Sequence, residues 1–162
     1  MSFGINKVFI HLISIYLIIG LMCPTTAPYN WIIQNIQRLR HIQNSAARIL
    51  LRVRKHDHIT SVLKPLHWLP IPLRIEYKLS LLTHQCIHGH APQYLKELLT
   101  LRSATKNTLQ TLRTKLHTMG DRAFSSAAPR LWNTLPDHLR APQTAEAFKR
   151  DLKTHLFKKA YC

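Results

Sequence analysis

The chain has 162 residues, room for about one domain, and 46 % of them are apolar, enough for a core and too many for a disordered polyampholyte. Lysine and arginine number 23 against 7 acidic residues, a formal charge of +16 that repels itself in a compact fold unless counter-ions or a polyanion screen it. Nucleic acid is the partner such a surface favours, because binding releases condensed counter-ions; an anionic membrane surface is the second.

Residues 8–23 read VFIHLISIYLIIGLMC, with only His11 and Ser14 clearly polar. The run falls short of the ~20 residues that cross a bilayer unaided. With Lys7 before it and Thr25, Thr26 and Ala27 after it, it fits a secretory signal peptide and, as an alternative, a short membrane anchor. A buried hydrophobic helix and unrelated sequence read in frame are the competing readings. Pro24 to Pro28 mark a boundary, so residues 1–30 are expected to be a hydrophobic segment with its linker and residues 31–162 a basic helical domain.

From Trp31 to Lys55 the apolar steps are helical: Ile36, Leu39, Ala46, Leu50 and Val53 recur at three and four, Gln43 fills one gap, and Ile32, Ile42 and Ile49 widen the stripe. Asn30 is the expected cap. Asp57 or Thr60 starts a short helix that Pro65 ends. Trp68 reads as a core anchor within LHWLP. Pro72 suits the first turn of a helix stepping through Ile75, Leu79, Leu82 and Cys86, which Gly89 stops as a left-handed cap. Pro92 opens another helix. Residues 101–119 carry Arg102, Lys106, Arg113 and Lys115 with no acid; their threonines fit an extended segment as well as Leu109, Leu112 and Leu116 fit a helix. After Gly120, Asp121 caps a helix through Ala128, and Pro129 is expected to kink or restart it. Pro136 and Pro142 bracket a turn. Thr144 caps a last helix that buries Phe148, Leu152 and Leu156 and turns Lys149, Arg150, Lys153, Lys158 and Lys159 outward. The fold class is therefore mainly α: a small irregular bundle of five to seven helices with a partly ordered basic loop or hairpin near 101–119.

Catalytic chemistry has no foothold in this pattern. The four glycines are scattered, and a phosphate-cradling loop needs several together. The closest two acids, Glu146 and Asp151, stand five apart, so no carboxylate pair is available for acid–base or two-metal work. His84 and His88 share a helical face, but HQCIH lacks the glutamate of a zinc hydrolase; His56 and His58 have no third ligand, and no metal or cofactor is expected. Cys23, Cys86 and Cys162 form no disulfide or zinc framework.

The tract IQRLRHIQNSAARILLRVRKHDHITSVLKPLHWLPIPLRIEYKLSLLTHQCIHGHAPQYL (Ile36 to Leu95), with GDRAFSSAAPRLWNTLP from Gly120 and FKRDLKTHLF from Phe148 to Phe157, resembles the region that follows the polymerase in proteins of non-LTR, LINE-type retrotransposons. The order IQNSAAR, DHIT, LHWLP, RIEYKL and GDRAF carries the likeness, which runs from about Trp31 to Lys158. The resemblance implies a helical extension beyond the polymerase thumb that helps hold template RNA or target DNA, without catalysis of its own. The polymerase aspartates and any endonuclease domain are missing, so a truncated element copy is expected, with the hydrophobic start outside the family pattern.

The expectation is a non-enzymatic module that binds RNA or DNA backbones with little regard for sequence. Its contacts would come from Arg48, Arg52, Arg54, Lys55, Arg113, Lys115, Arg122 and Arg130. The alternatives are a secreted or membrane-anchored basic protein that meets an acidic partner, with membrane contact through residues 8–23, and an inert relic. Nucleus or cytoplasm follows from the first reading and the secretory pathway from the second.

Overall fold

The computed structural model describes residues 29–103, 107–113, 120–141 and 144–162. The expected signal or anchor at residues 8–23 lies outside them. The described chain is mainly helical: α1 (Tyr29–Leu51), α2 (Ile59–Leu63), α3 (Ile71–Ile87), α4 (Gln93–Lys96), α5 (Phe124–Thr134), α6 (Asp137–Arg140) and α7 (Ala145–Tyr161). The antiparallel strands β1 (Leu101–Ser103) and β2 (Thr108–Leu109) pair Leu101 with Leu109 and Ser103 with Thr108, across an irregularity in register. The basic segment thus takes its hairpin form where it is described; 104–106 and 114–119 fall outside.

Helix α3 is the axle. It packs chiefly on α5 and α7, and on α1 with a third side. A helix covered on several sides must keep narrow positions narrow, which is why its most buried residues include Ser80, Thr83 and His84 beside Leu79 and Cys86. Thr83 satisfies its hydroxyl locally, donating to the Leu79 carbonyl at 2.8 Å. Pro70 precedes the helix, Pro72 sits in its first turn, and Gly89 ends it at φ +81°, a conformation that needs no side chain.

The main core joins Leu69, Leu109, Trp132, Leu135, Leu139, Phe148, Leu152 and Leu156. The Trp132 and Phe148 rings meet at 5.8 Å, and the Trp132 indole donates to the Asn107 carbonyl at 2.8 Å. Asn133 then completes the edge of the hairpin as a strand would: its amide nitrogen donates to Leu109 O at 2.8 Å and its oxygen accepts from Leu109 N at 3.0 Å. Trp68 is buried, with Ala47, Val62 and Leu63, under α1 and α2, as its anchor role requires. Thr144 caps α7 by accepting from Ala147 N.

Five local expectations are corrected. Helix α1 begins at Tyr29, so Asn30 lies inside it. Its covered side is Gln43 and Ala47, while Ile42 and Ile49 are 53 % and 76 % exposed and Leu50 is exposed as well. Among the described helices chiefly α2 and α3 lie against α1, which leaves the covered stripe narrower than its hydrophobicity, and small Ala47 admits them closely. Helix α5 begins after Ala123, not at Asp121, which belongs to a 3-10 turn (Gly120–Arg122), and it runs unbroken through Pro129. The proline removes one backbone donor, but its ring is fully buried with Ala128 and Trp132, and that packing holds the helix together. Finally, the turn after Pro136 contains the short helix α6, whose Leu139 enters the core.

Candidate nucleic-acid interface

The cations singled out from sequence lie on several separate stretches of the chain. Arg48, Arg52, Arg54 and Lys55 do gather where α1 ends, because Arg52 takes a left-handed φ of 52° and turns the chain. One of the four side chains, Arg48, and the backbone of another, Arg54, help close that turn. Arg48 donates from Nη2 to the Asp57 carbonyl at 3.0 Å, and the Arg54 backbone N–H donates to the Asp57 carboxylate at 3.0 Å. Arg52, Arg54 and Lys55 expose their side chains. Arg113 is exposed beyond β2, Arg130 is paired with Asp121 at 2.8 Å, and Lys115 and the Arg122 side chain lie outside what the structure describes. An arginine already paired with a carboxylate offers a phosphate less than its charge promises.

Packing assembles a different set. Helices α3 and α7 and the His67–Leu69 turn enclose a cleft of about 470 Å3, lined by Arg74 and Lys78 from α3 and by Lys149 and Lys153 from α7. Among the described residues no carboxylate lines it. Glu146 stands at its edge, paired with Lys149 at 2.7 Å, so positive charge remains in excess inside. Trp68, Tyr77, Leu81 and Gln85 add apolar wall and neutral hydrogen-bonding groups.

Each side chain is placed by local physics. Arg74 lies against Trp68, its guanidinium carbon 5.7 Å from the ring centre, and donates from Nε to the Leu69 carbonyl at 2.9 Å. Its Nη1 is buried and has no partner among the described residues. The Leu69 carbonyl also accepts from the buried Gln43 amide at 2.8 Å, so α1, the turn and α3 are joined at one oxygen. Tyr161 donates its hydroxyl to the Trp68 carbonyl, which holds the end of α7 on the same turn. Lys159 pairs with Glu76 at 2.7 Å and ties α7 to α3 outside the cleft lining.

The electrostatics report crowding. Burial lowers the pKa of Arg74, and burial followed by the neighbouring charge of Lys149 lowers that of Lys78. Lys149 itself moves the other way, because the hydrogen bond and charge of exposed Glu146 raise it. Both directions are physical: Lys149 is held by one acid while it repels a lysine across the cleft. Lys78 binds its proton less tightly in the fold than in the unfolded chain, so this residue's contribution to stability rises with pH toward its ordinary value of 10.5. Lys78→Gln is therefore expected to stabilise the unliganded protein slightly, by less than about 1 kcal/mol, since solvent screens a partly exposed charge. Thermal unfolding in low salt checks it; a clear loss of stability would mean that the lysine is a structural partner.

A second hollow, of about 580 Å3, lies between α1, α2 and the end of α7. Gln37, Gln43, Asn44 and Thr60 line it, and Arg40 supplies its fixed charge. Neutral amides exert little pull on a polyanion, so the smaller cleft is the better anion site. Lys149 and Lys153, expected on the positive outer face of α7, line this cleft while Lys153 stays exposed and Lys149 half-exposed. The signal that could have found the cleft is the α3 spacing Arg74, Lys78 set against the α7 spacing Lys149, Lys153, each four apart on one helical face.

His84 and His88, the tempting metal pair, are engaged in packing. Their rings stack at 4.1 Å, and His84, buried, stacks on Phe148 at 4.2 Å. Among the described residues no grouping of three or more histidines, cysteines or acids could hold a metal ion, and no helix is long and apolar enough to cross a membrane. Compared with protein-family models, with curated proteins and with solved structures, the chain matches none.

Proposed function

We propose that this protein is a non-catalytic helical module that binds the sugar–phosphate backbone of nucleic acid, and that it derives from the post-polymerase region of a LINE-type retrotransposon protein. The observation that carries the binding role is the cleft between α3 and α7, where four cations converge and no acid lines the wall. Concentrating like charge in a partly buried hollow works against folding, and a polyanion offsets that cost when it binds. The origin is supported by the ordered motifs from IQNSAAR to GDRAF. Contacts made by lysines as point charges position a backbone and read no bases, so affinity tolerates sequence.

Titrating the full chain against labelled RNA and DNA over rising salt tests the role. With three or four phosphates neutralised on a single strand, the logarithm of the association constant should fall against log salt with a slope of about −2 to −3. Affinity indifferent to salt would overturn the reading.

A further inference from the structure

We infer that the cleft between α3 and α7 is a site for single-stranded nucleic acid, seating successive backbone phosphates along Arg74, Lys78, Lys149 and Lys153 with a base at the exposed ring of His67; this rests on the backbone-binding role proposed above. Shape argues first. A volume of about 470 Å3 lies within the range of roughly 300–1,000 Å3 that encloses small molecules. A duplex is a stiff rod that carries its phosphates on convex ridges and cannot lower one into such a hollow. A single strand bends freely and can.

The walls argue second. Lysines alone would suit any polyanion, but here apolar and neutral polar groups, Trp68, Tyr77, Leu81 and Gln85, share the lining. That mixture fits a nucleotide, whose sugar and base edge follow its phosphate. At the mouth, His67 holds a left-handed φ of 52°, unusual for a residue with a side chain. Its Nδ1 lies 3.2 Å from the Pro65 carbonyl, and its ring stacks on Phe157 at 5.5 Å and 18°. The imidazole is thus an exposed, preformed plane beside the cations. A planar group backed by an aromatic ring is the sequence-tolerant platform that single-strand binders use. Arg74 is held ready by Trp68 and the Leu69 carbonyl, so it loses little freedom when a phosphate arrives.

Fluorescence anisotropy of the full chain tests the assignment, using one labelled oligonucleotide as a single strand and as a duplex, a free nucleoside monophosphate as competitor, and vesicles of phosphatidylserine. The single strand should bind at least about tenfold more tightly than the duplex. Lys78→Gln with Lys153→Gln should make the slope against log salt shallower by about 1.4, two phosphate contacts fewer. His67→Ala should weaken the single strand about fivefold to a hundredfold and leave the duplex alone. Lys149→Gln, at the exposed rim, provides a charge deletion should the double variant fold poorly.

Equal binding of single strand and duplex, with the lysine variants weakening both, would overturn the single-strand assignment and leave backbone binding standing. Strong salt-dependent binding unmoved by the lysine variants would overturn the cleft as the site. Competition by the monophosphate at concentrations matching the oligonucleotide would make it a free-nucleotide pocket and overturn the assignment. Vesicle binding through the same lysines without oligonucleotide binding, or no binding of any ligand at low salt, would overturn both readings.

Discussion

Trp132→Ala is expected to lower the unfolding free energy by about 3–5 kcal/mol, the cost of removing a fully buried aromatic ring. Trp132 is inaccessible to solvent, touches Phe148 at 5.8 Å and donates its indole N–H to the Asn107 carbonyl. Truncation leaves a cavity where the hairpin, α5 and α7 meet, and takes from that carbonyl its indole donor. Against a typical total of about 5–15 kcal/mol the loss is large. It should lower the melting temperature by roughly 10–20 °C in a chain of this size. Trp132→Phe separates the contributions, since it keeps a ring and loses the donor; it should cost about 1–3 kcal/mol. Denaturation followed by circular dichroism reads both. A loss below about 1 kcal/mol for the alanine variant would contradict this core.

The second large effect is at Gln43. Its amide donates to the Leu69 carbonyl from a side chain that is 1 % exposed. Gln43→Leu conserves much of the volume and removes the bond. The Leu69 carbonyl keeps its bond from Arg74 Nε, so it is not orphaned, and the expected cost is about 1–2 kcal/mol. The consequence for function is indirect. The Leu69 carbonyl anchors Arg74, and the His67–Leu69 turn forms one wall of the cleft, so loosening it should weaken oligonucleotide binding by a few-fold while the lysines remain in place. Unchanged binding beside a measured loss of stability would show that α1 does not support the cleft.

Much of the fold was legible because local chemistry sets it. Pro72 in a first turn, Gly89 at a helix end and Thr144 as a cap each act within a few residues, and each does in the structure what its type predicts. The misreadings arose where a local rule met a packing constraint. Pro129 breaks helices in water, but this one is buried between Ala128 and Trp132. Ile42 and Ile49 look like core, but no described helix lies over them.

Helical class, basic excess and the motif order could all be read from composition and spacing, since each depends only on residues close in the chain or on their totals. Charge run lengths drew attention to Arg48 through Lys55, where the structure spends Arg48 and the Arg54 backbone on closing a turn around Asp57. The cleft could not be read that way. Lys78 and Lys149 are 71 positions apart in the chain, and only the antiparallel seating of α7 on α3 brings their charges close enough to oppose each other. Which cations converge follows from how helices pack, and the seating of α7 on α3 is chosen by the apolar faces of Leu73, Leu81, Phe148 and Leu152, not by the charges that then find themselves together.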